Sequence, residues 1–261
     1  MTHAYFSELH AKPDSQLLGL PCTVSDTPET AAARGDSSEQ GQRTLAAALD
    51  DQLRYREALT VYDQLLLQCP ADTSLRRKRA TRYINTLQPE KAVSDLEQCR
   101  ALGMADSEVC YPLGIANYLA GRYEDAMTEM ARMQALSDEE MGIAAIYWHT
   151  LAAYRCGRMP TLLAVYHPGM AVGHHTAYER AMALAAGAVS ESDFCILLQT
   201  ESSDLEYAML AYGYAGYLAN QGRAFDSRTA RSTILPRDSF WIAYGYLAAW
   251  NDVFGNRTRK A

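Results

Sequence analysis

Three histidines and an acid fall close together in one stretch, YHPGMAVGHHTAYE, as His167, His174, His175 and Glu179. Imidazole and carboxylate are the groups that bind zinc or move protons near neutral pH. The H-x6-H-H spacing matches no metal signature, and Pro168-Gly169 is a turn pair. The stretch therefore reads as an inter-helix loop, with no metal and no cofactor expected. The acids Asp138-Glu139-Glu140 and Glu191/Asp193 lie at helix starts, where the macrodipole favours negative charge. The sequence holds no glycine-rich phosphate loop, no G-x-S-x-G and no H-E-x-x-H. A nucleophile, a base and an orienting group do not converge, so no catalytic residue is expected and the enzyme reading is set aside.

Composition narrows the partner class. The 261-residue chain is 48% hydrophobic and carries a net charge of −7. Phosphate binding needs a basic field, so nucleic acid is not expected as a ligand. No apolar run approaches the ~18 residues that span a bilayer, and the N-terminus lacks a secretory pattern, so no membrane association is expected. Six cysteines, Cys22, Cys69, Cys99, Cys110, Cys156 and Cys195, form no CxxC pair. Most fall within helical patterns as small hydrophobes, which fits a reduced, cytoplasmic setting.

The remaining signal is periodic. Leu113-Gly114, Tyr118, Gly121, Tyr123, Ala126 and Met130 form a cluster whose members recur. Thirty-four residues earlier, Ala92 and Leu96 stand where Ala126 and Met130 do; another thirty-four back stand Ala58 and Tyr62, with Pro70 closing the segment. Ala211-Tyr-Gly-Tyr214 returns as Ala243-Tyr-Gly-Tyr246. Ser137-Asp-Glu-Glu140 and Ser203-Asp-Leu-Glu206 are capping boxes where helices should begin. Strand-type alternation is absent.

This pattern resembles the tetratricopeptide repeat, clear over about residues 42–166 and degenerate beyond. The resemblance implies an all-α, right-handed α-solenoid of about six helix–turn–helix units, at 42–70, 73–104, 107–136, 138–167, 175–200 and 203–235. A C-terminal helix over 238–254 would cap the array. Residues 1–41 form a leader, flexible or docked, ahead of a repeat domain at 42–261. Its segment 22–42 has little apolar area to offset ordering entropy.

In that family, first helices line a concave groove, and ligand contacts come from fixed positions of each unit. Carried onto this sequence, those positions hold Arg43 and Arg77, then Tyr111, Tyr147, Tyr178, Tyr212 and Tyr244. Thr81 and Ile84, Ile115 and Tyr118, and Leu151 and Tyr154 join them. The groove reads as a basic start followed by a ladder of tyrosines, suited to a peptide whose acidic residues face Arg43 and Arg77. The same tyrosines could instead pack between neighbouring helices. The subclass that clamps a terminal carboxylate is not matched, because its positions hold Arg43, Ala47, Lys78, Glu108 and Pro112. The resemblance thus implies a protein- or peptide-binding adaptor or scaffold. Its alternatives are a secretion-type chaperone for an apolar segment and a self-assembling structural protein. The chain would be a monomer, or a weak homodimer through the aromatic C-terminal cap: Phe240, Trp241, Tyr244, Tyr246, Trp250 and Phe254.

Overall fold

A computed structural model describes residues 8–258, with side chains to residue 255. Two compact units divide between Ala105 and Asp106. Helices and turns account for the secondary structure of the described residues, with no strand among them. None of the described helices is long and apolar enough to cross a membrane.

The first unit contains α1 (Pro13–Leu17), α2 (Pro28–Arg34) and two hairpins. The hairpins are α3 (Glu39–Asp51) with α4 (Tyr55–Gln68), and α5 (Thr73–Asn85) with α6 (Pro89–Ala101). Each first helix starts on a side-chain cap: the Ser38 hydroxyl accepts from Gly41 N–H, and the Asp72 carboxylate accepts from Leu75 N–H. Each hairpin reverses on one left-handed residue, Leu53 (φ 57°) and Leu87 (φ 51°). Leucine there costs about 1–2 kcal/mol of backbone strain relative to a right-handed residue. Burial of the Leu53 side chain offsets that cost. Ala58 and Ala92, the repeating small residues, are fully buried and let neighbouring helices close up.

Polar groups join the buried Ala11, Leu17 and Ala33 in fastening the segment ahead of α3. Ala11 N–H donates to Gln52 O at 2.9 Å, and Arg56 Nε donates to Gln16 O at 2.7 Å. Gln52 accepts from Thr30 Oγ1 at 2.9 Å and donates to Ser25 O at 2.9 Å. Arg54, almost fully buried, pairs with Asp26 and Glu57. Segment 22–42 therefore holds its position through hydrogen bonds and ion pairs, which a count of apolar residues does not register.

The second unit contains α7 (Asp106–Leu119) and α8 (Tyr123–Leu136), α9 (Glu139–Cys156), and α10 (Thr176–Ala185) and α11 (Glu191–Thr200). It ends with α12 (Asp204–Asn220), α13 (Ala224–Ser232) and α14 (Tyr244–Thr258). Gly121, 34 residues beyond Leu87, turns α7 into α8 with φ 79°, a conformation glycine adopts at little cost. Gly157 and Gly222 end α9 and α12 the same way.

Two expectations are corrected here. After α9 comes only a 3-10 turn, Thr161–Val165, in place of a second helix. Pro160 and Pro168-Gly169 bracket too few residues for one. In addition, α14 covers α12 and α13, as a capping helix would, and also reaches back to α7. Asn251 Nδ2 donates to Leu119 O at 2.9 Å, across 132 residues of chain. In a regular stack a helix meets only its neighbours. Within this unit, then, α14 contacts both α7 and α12, two of the first helices.

The contact of α14 with α12 depends on a close approach. A Cβ on Gly245 would lie 2.5 Å from the Ala208 carbonyl oxygen, a backbone atom that cannot move aside. Gly245→Ala is expected to push α14 off α12 and cost about 1–3 kcal/mol, read as a lower urea midpoint. A variant as stable as the parent would show that α14 is not seated this tightly.

Candidate functional site

The tyrosines expected to line a groove meet inside the second unit. Tyr147 is 0% exposed and Tyr212 2%, while Tyr118 and Tyr178 are also buried. Tyr147 Oη donates to Met209 O at 2.7 Å, and its ring meets Tyr178 edge-on at 4.8 Å. Tyr111, half-buried, shares a 3.3 Å hydroxyl contact with Tyr178 and lies 6.1 Å from the Tyr244 ring on α14. Ile115 and Leu151 are core residues as well, and Tyr154 and Tyr244 are half-buried.

A polar hub completes this interior. Arg155 Nη2 donates to Tyr212 Oη at 3.0 Å and to the Asp252 carboxylate, and Arg155 Nε donates to Tyr118 Oη at 3.3 Å. Tyr212 Oη donates to Asp252 at 3.0 Å. Its proton thus spent, it accepts at 3.0 Å from Tyr118 Oη. Arg231 stands 3.5 Å from the same carboxylate. Burial raises the hydroxyl pKa of Tyr118, Tyr147 and Tyr212, so all remain neutral donors. Charge and hydroxyls from α7, α9, α12, α13 and α14 are mutually satisfied here.

The expectation of a ligand-facing tyrosine ladder is corrected accordingly. The buried rings of Tyr118, Tyr147, Tyr178 and Tyr212 cannot touch a partner unless the packing opens, whereas Tyr111, Tyr154 and Tyr244 keep partial exposure. Of the aromatics expected to form a self-association surface, Trp241, Tyr246 and Trp250 are buried, at 1%, 1% and 8% exposed, while Phe240, Tyr244 and Phe254 keep partial exposure.

The basic start of the set lies in the first unit. There α3 and α5 run side by side, joined by two ion pairs. Arg43 Nη2 contacts Asp72 at 2.8 Å and Arg82 Nε contacts Asp50 at 2.7 Å. Arg43 also contacts Glu39 at 2.8 Å, and both carboxylates raise its pKa, Asp72 the more. Arg43, Arg77 and Thr81 keep partial exposure, whereas Ile84 is fully buried. The neighbouring cations are absorbed by acids: Asp95, 5% exposed, holds both Arg76 and Arg79.

The histidine stretch forms a grouping that sequence spacing did not reveal. His174 Nδ1 lies 2.7 Å from a Glu140 carboxylate oxygen, and His175 Nδ1 lies 2.8 Å from the Glu140 carbonyl oxygen. His167 Nε2 is 3.4 Å from Glu139. Glu179 does not join them; it accepts from Tyr166 Oη at 2.7 Å. Glu140 was assigned to helix capping, and its 34-residue separation from the His pair hid the proximity.

No family model matches the chain. Over 112 residues, 42% of the chain, it is 32% identical to DnaJ homolog subfamily C member 3 of Rattus norvegicus. Identity to the same protein of Mus musculus is 30% over 112 residues, and to that of Homo sapiens 29% over 93. The matched stretch is 22% of the length of the rat and mouse relatives and 18% of the human one. Among solved structures, the chain is similar to the TPR domain of P58(IPK), at 19% identity and a TM-score of 0.37, over 85% of this chain and 67% of that one. The hairpins, their 34-residue interval and the buried Ala58, Ala92 and Ala126 make these helical repeats of the tetratricopeptide type.

Core placement of the tyrosines has a direct consequence. Tyr147→Ala is expected to cost about 3–5 kcal/mol and Tyr147→Phe about 1 kcal/mol, both read by urea unfolding. An alanine variant that melts like the parent would remove Tyr147 from the core. His149, 2% exposed on α9, has its pKa lowered by burial from 6.5 to about 4. Between those values the unfolded chain binds a proton that the folded chain refuses, so stability falls as pH falls from 6.5 towards 4. The slope from this group approaches 1.4 kcal/mol per pH unit, and His149→Gln should flatten it; an unchanged pH profile would refute the assignment.

Proposed function

We propose that the chain is a protein-interaction scaffold whose contact surface is the α3–α5 face of the first unit. Its ligand is an extended peptide carrying acidic side chains. The observation that carries this reading is the pairing of α3 and α5 by Arg43–Asp72 and Arg82–Asp50, with Arg43, Arg77 and Thr81 still reachable from solvent. A peptide carboxylate has to displace only Glu39, itself 49% exposed, from Arg43. Such an exposed pair is worth about 0.2–1 kcal/mol, so the exchange costs little. The DnaJ-type names of the relatives suggest a co-chaperone as one form of such a scaffold. The reading includes no catalytic step, and the cytoplasmic setting drawn from the cysteines belongs to it.

A secretion-type chaperone holding an apolar segment has less support, since the tyrosine interior it would use is filled by α14. Self-assembly through the C-terminal aromatics has less support, since Trp241, Tyr246 and Trp250 are buried and only Phe240, Tyr244 and Phe254 keep partial exposure.

Fluorescence anisotropy with labelled glutamate-rich and lysine-rich peptides of equal length tests the proposal. The acidic peptide should bind, more weakly as salt rises. The Arg43→Glu/Arg77→Glu variant should lose at least about tenfold in affinity, near 1.4 kcal/mol, while its thermal melt stays close to the parent's. Equal binding of the two peptides, or unchanged affinity in the double variant, would sink it.

A further inference from the structure

The segment between α9 and α10 brings Glu140, His174 and His175 together in the second unit. One ligand-capable atom from each lies within 4.8 Å of the others. Ligands around a tetrahedral zinc sit about 3.3 Å apart, given bonds near 2.0 Å. Side-chain adjustment alone reaches that spacing.

The orientation of His175 is a second, independent observation. Its Nδ1 faces the Glu140 carbonyl oxygen at 2.8 Å, and a carbonyl can only accept. The proton therefore resides on Nδ1, leaving the lone pair on Nε2. A metal-bound histidine is commonly held this way, with one nitrogen donating to a carbonyl or carboxylate and the other ligating.

The backbone wraps the carboxylate closely. Gly173, in the left-handed region at φ 53°, lies so close to the Glu140 carboxylate that a Cβ there would displace it. Beside the imidazoles a cavity of about 200 Å³ is lined by His174, His175, Tyr178, Glu206 and Met209, among others. Water occupies ~30 Å³ in the liquid, so solvent ligands have room there.

We propose that Glu140, His174 and His175 form a zinc site with three protein ligands and a fourth position open to water. Two imidazoles and one carboxylate form a borderline donor set suited to zinc, whereas calcium and magnesium take oxygen ligands. The bound ion ties the segment before α10 to the first turn of α9. This departs from the expectation of no metal, which compared histidine spacings within one segment only.

Untagged full-length protein, stripped with chelator, is dialysed against zinc chloride and analysed for bound metal. One equivalent should be retained and should raise the melting temperature. His174→Ala, a change at a well-exposed side chain, and Glu140→Gln should each lower zinc affinity at least tenfold, while His167→Ala keeps it. Cobalt substitution should give a visible spectrum without a thiolate charge-transfer band. Failure to retain zinc, retention unaffected by His174→Ala, or a thiolate band would overturn the proposal.

Discussion

Each hairpin of this protein turns on a single residue in the left-handed region, and everything that packs above it inherits that constraint. Leu53, Leu87 and Gly121 stand 34 residues apart and take the same backbone sign. The reversal lays two helices antiparallel, after which a small residue must sit where they meet; Ala58, Ala92 and Ala126 do so with essentially no exposed surface. Leucine tolerates the strained position where its side chain gains burial. Glycine needs no such offset.

In the second unit, the constraint passes from backbone to side chains. Once α14 lies against α7 and α12, the Asp252 carboxylate enters an interior of tyrosines. A buried anion needs partners, and Arg155, Arg231 and Tyr212 supply them. Tyrosine suits this interior because its ring fills volume while its hydroxyl both donates and accepts. The same two properties make tyrosine common at binding surfaces, which is why its spacing alone suggested a ligand groove.

The repeating hairpins were legible because the interval of Ala58, Ala92 and Ala126 reflects a purely local requirement of helix contact. Arg43 and Arg77 were expected on first helices, and α3 and α5 carry them there with partial exposure. The missing second helix after α9 was harder to see, since Leu162, Leu163 and Val165 look helical until the prolines on either side are counted. The Glu140–His174–His175 grouping escaped because its members lie on different elements, and spacing rules compare residues within one.

Sequence alone determined the helical content, the hairpin interval and the acidic net charge, because each follows from contacts within a few turns of chain or from composition. Tertiary structure decided which faces are covered. Whether Tyr147 meets solvent or Met209 depends on where α12, about sixty residues later, comes to rest, and no local periodicity carries that distance. It also decided that Asp138 rather than Glu140 caps α9, and that the return of the chain at Gly173 sets His174 against the Glu140 carboxylate and His175 against its backbone carbonyl.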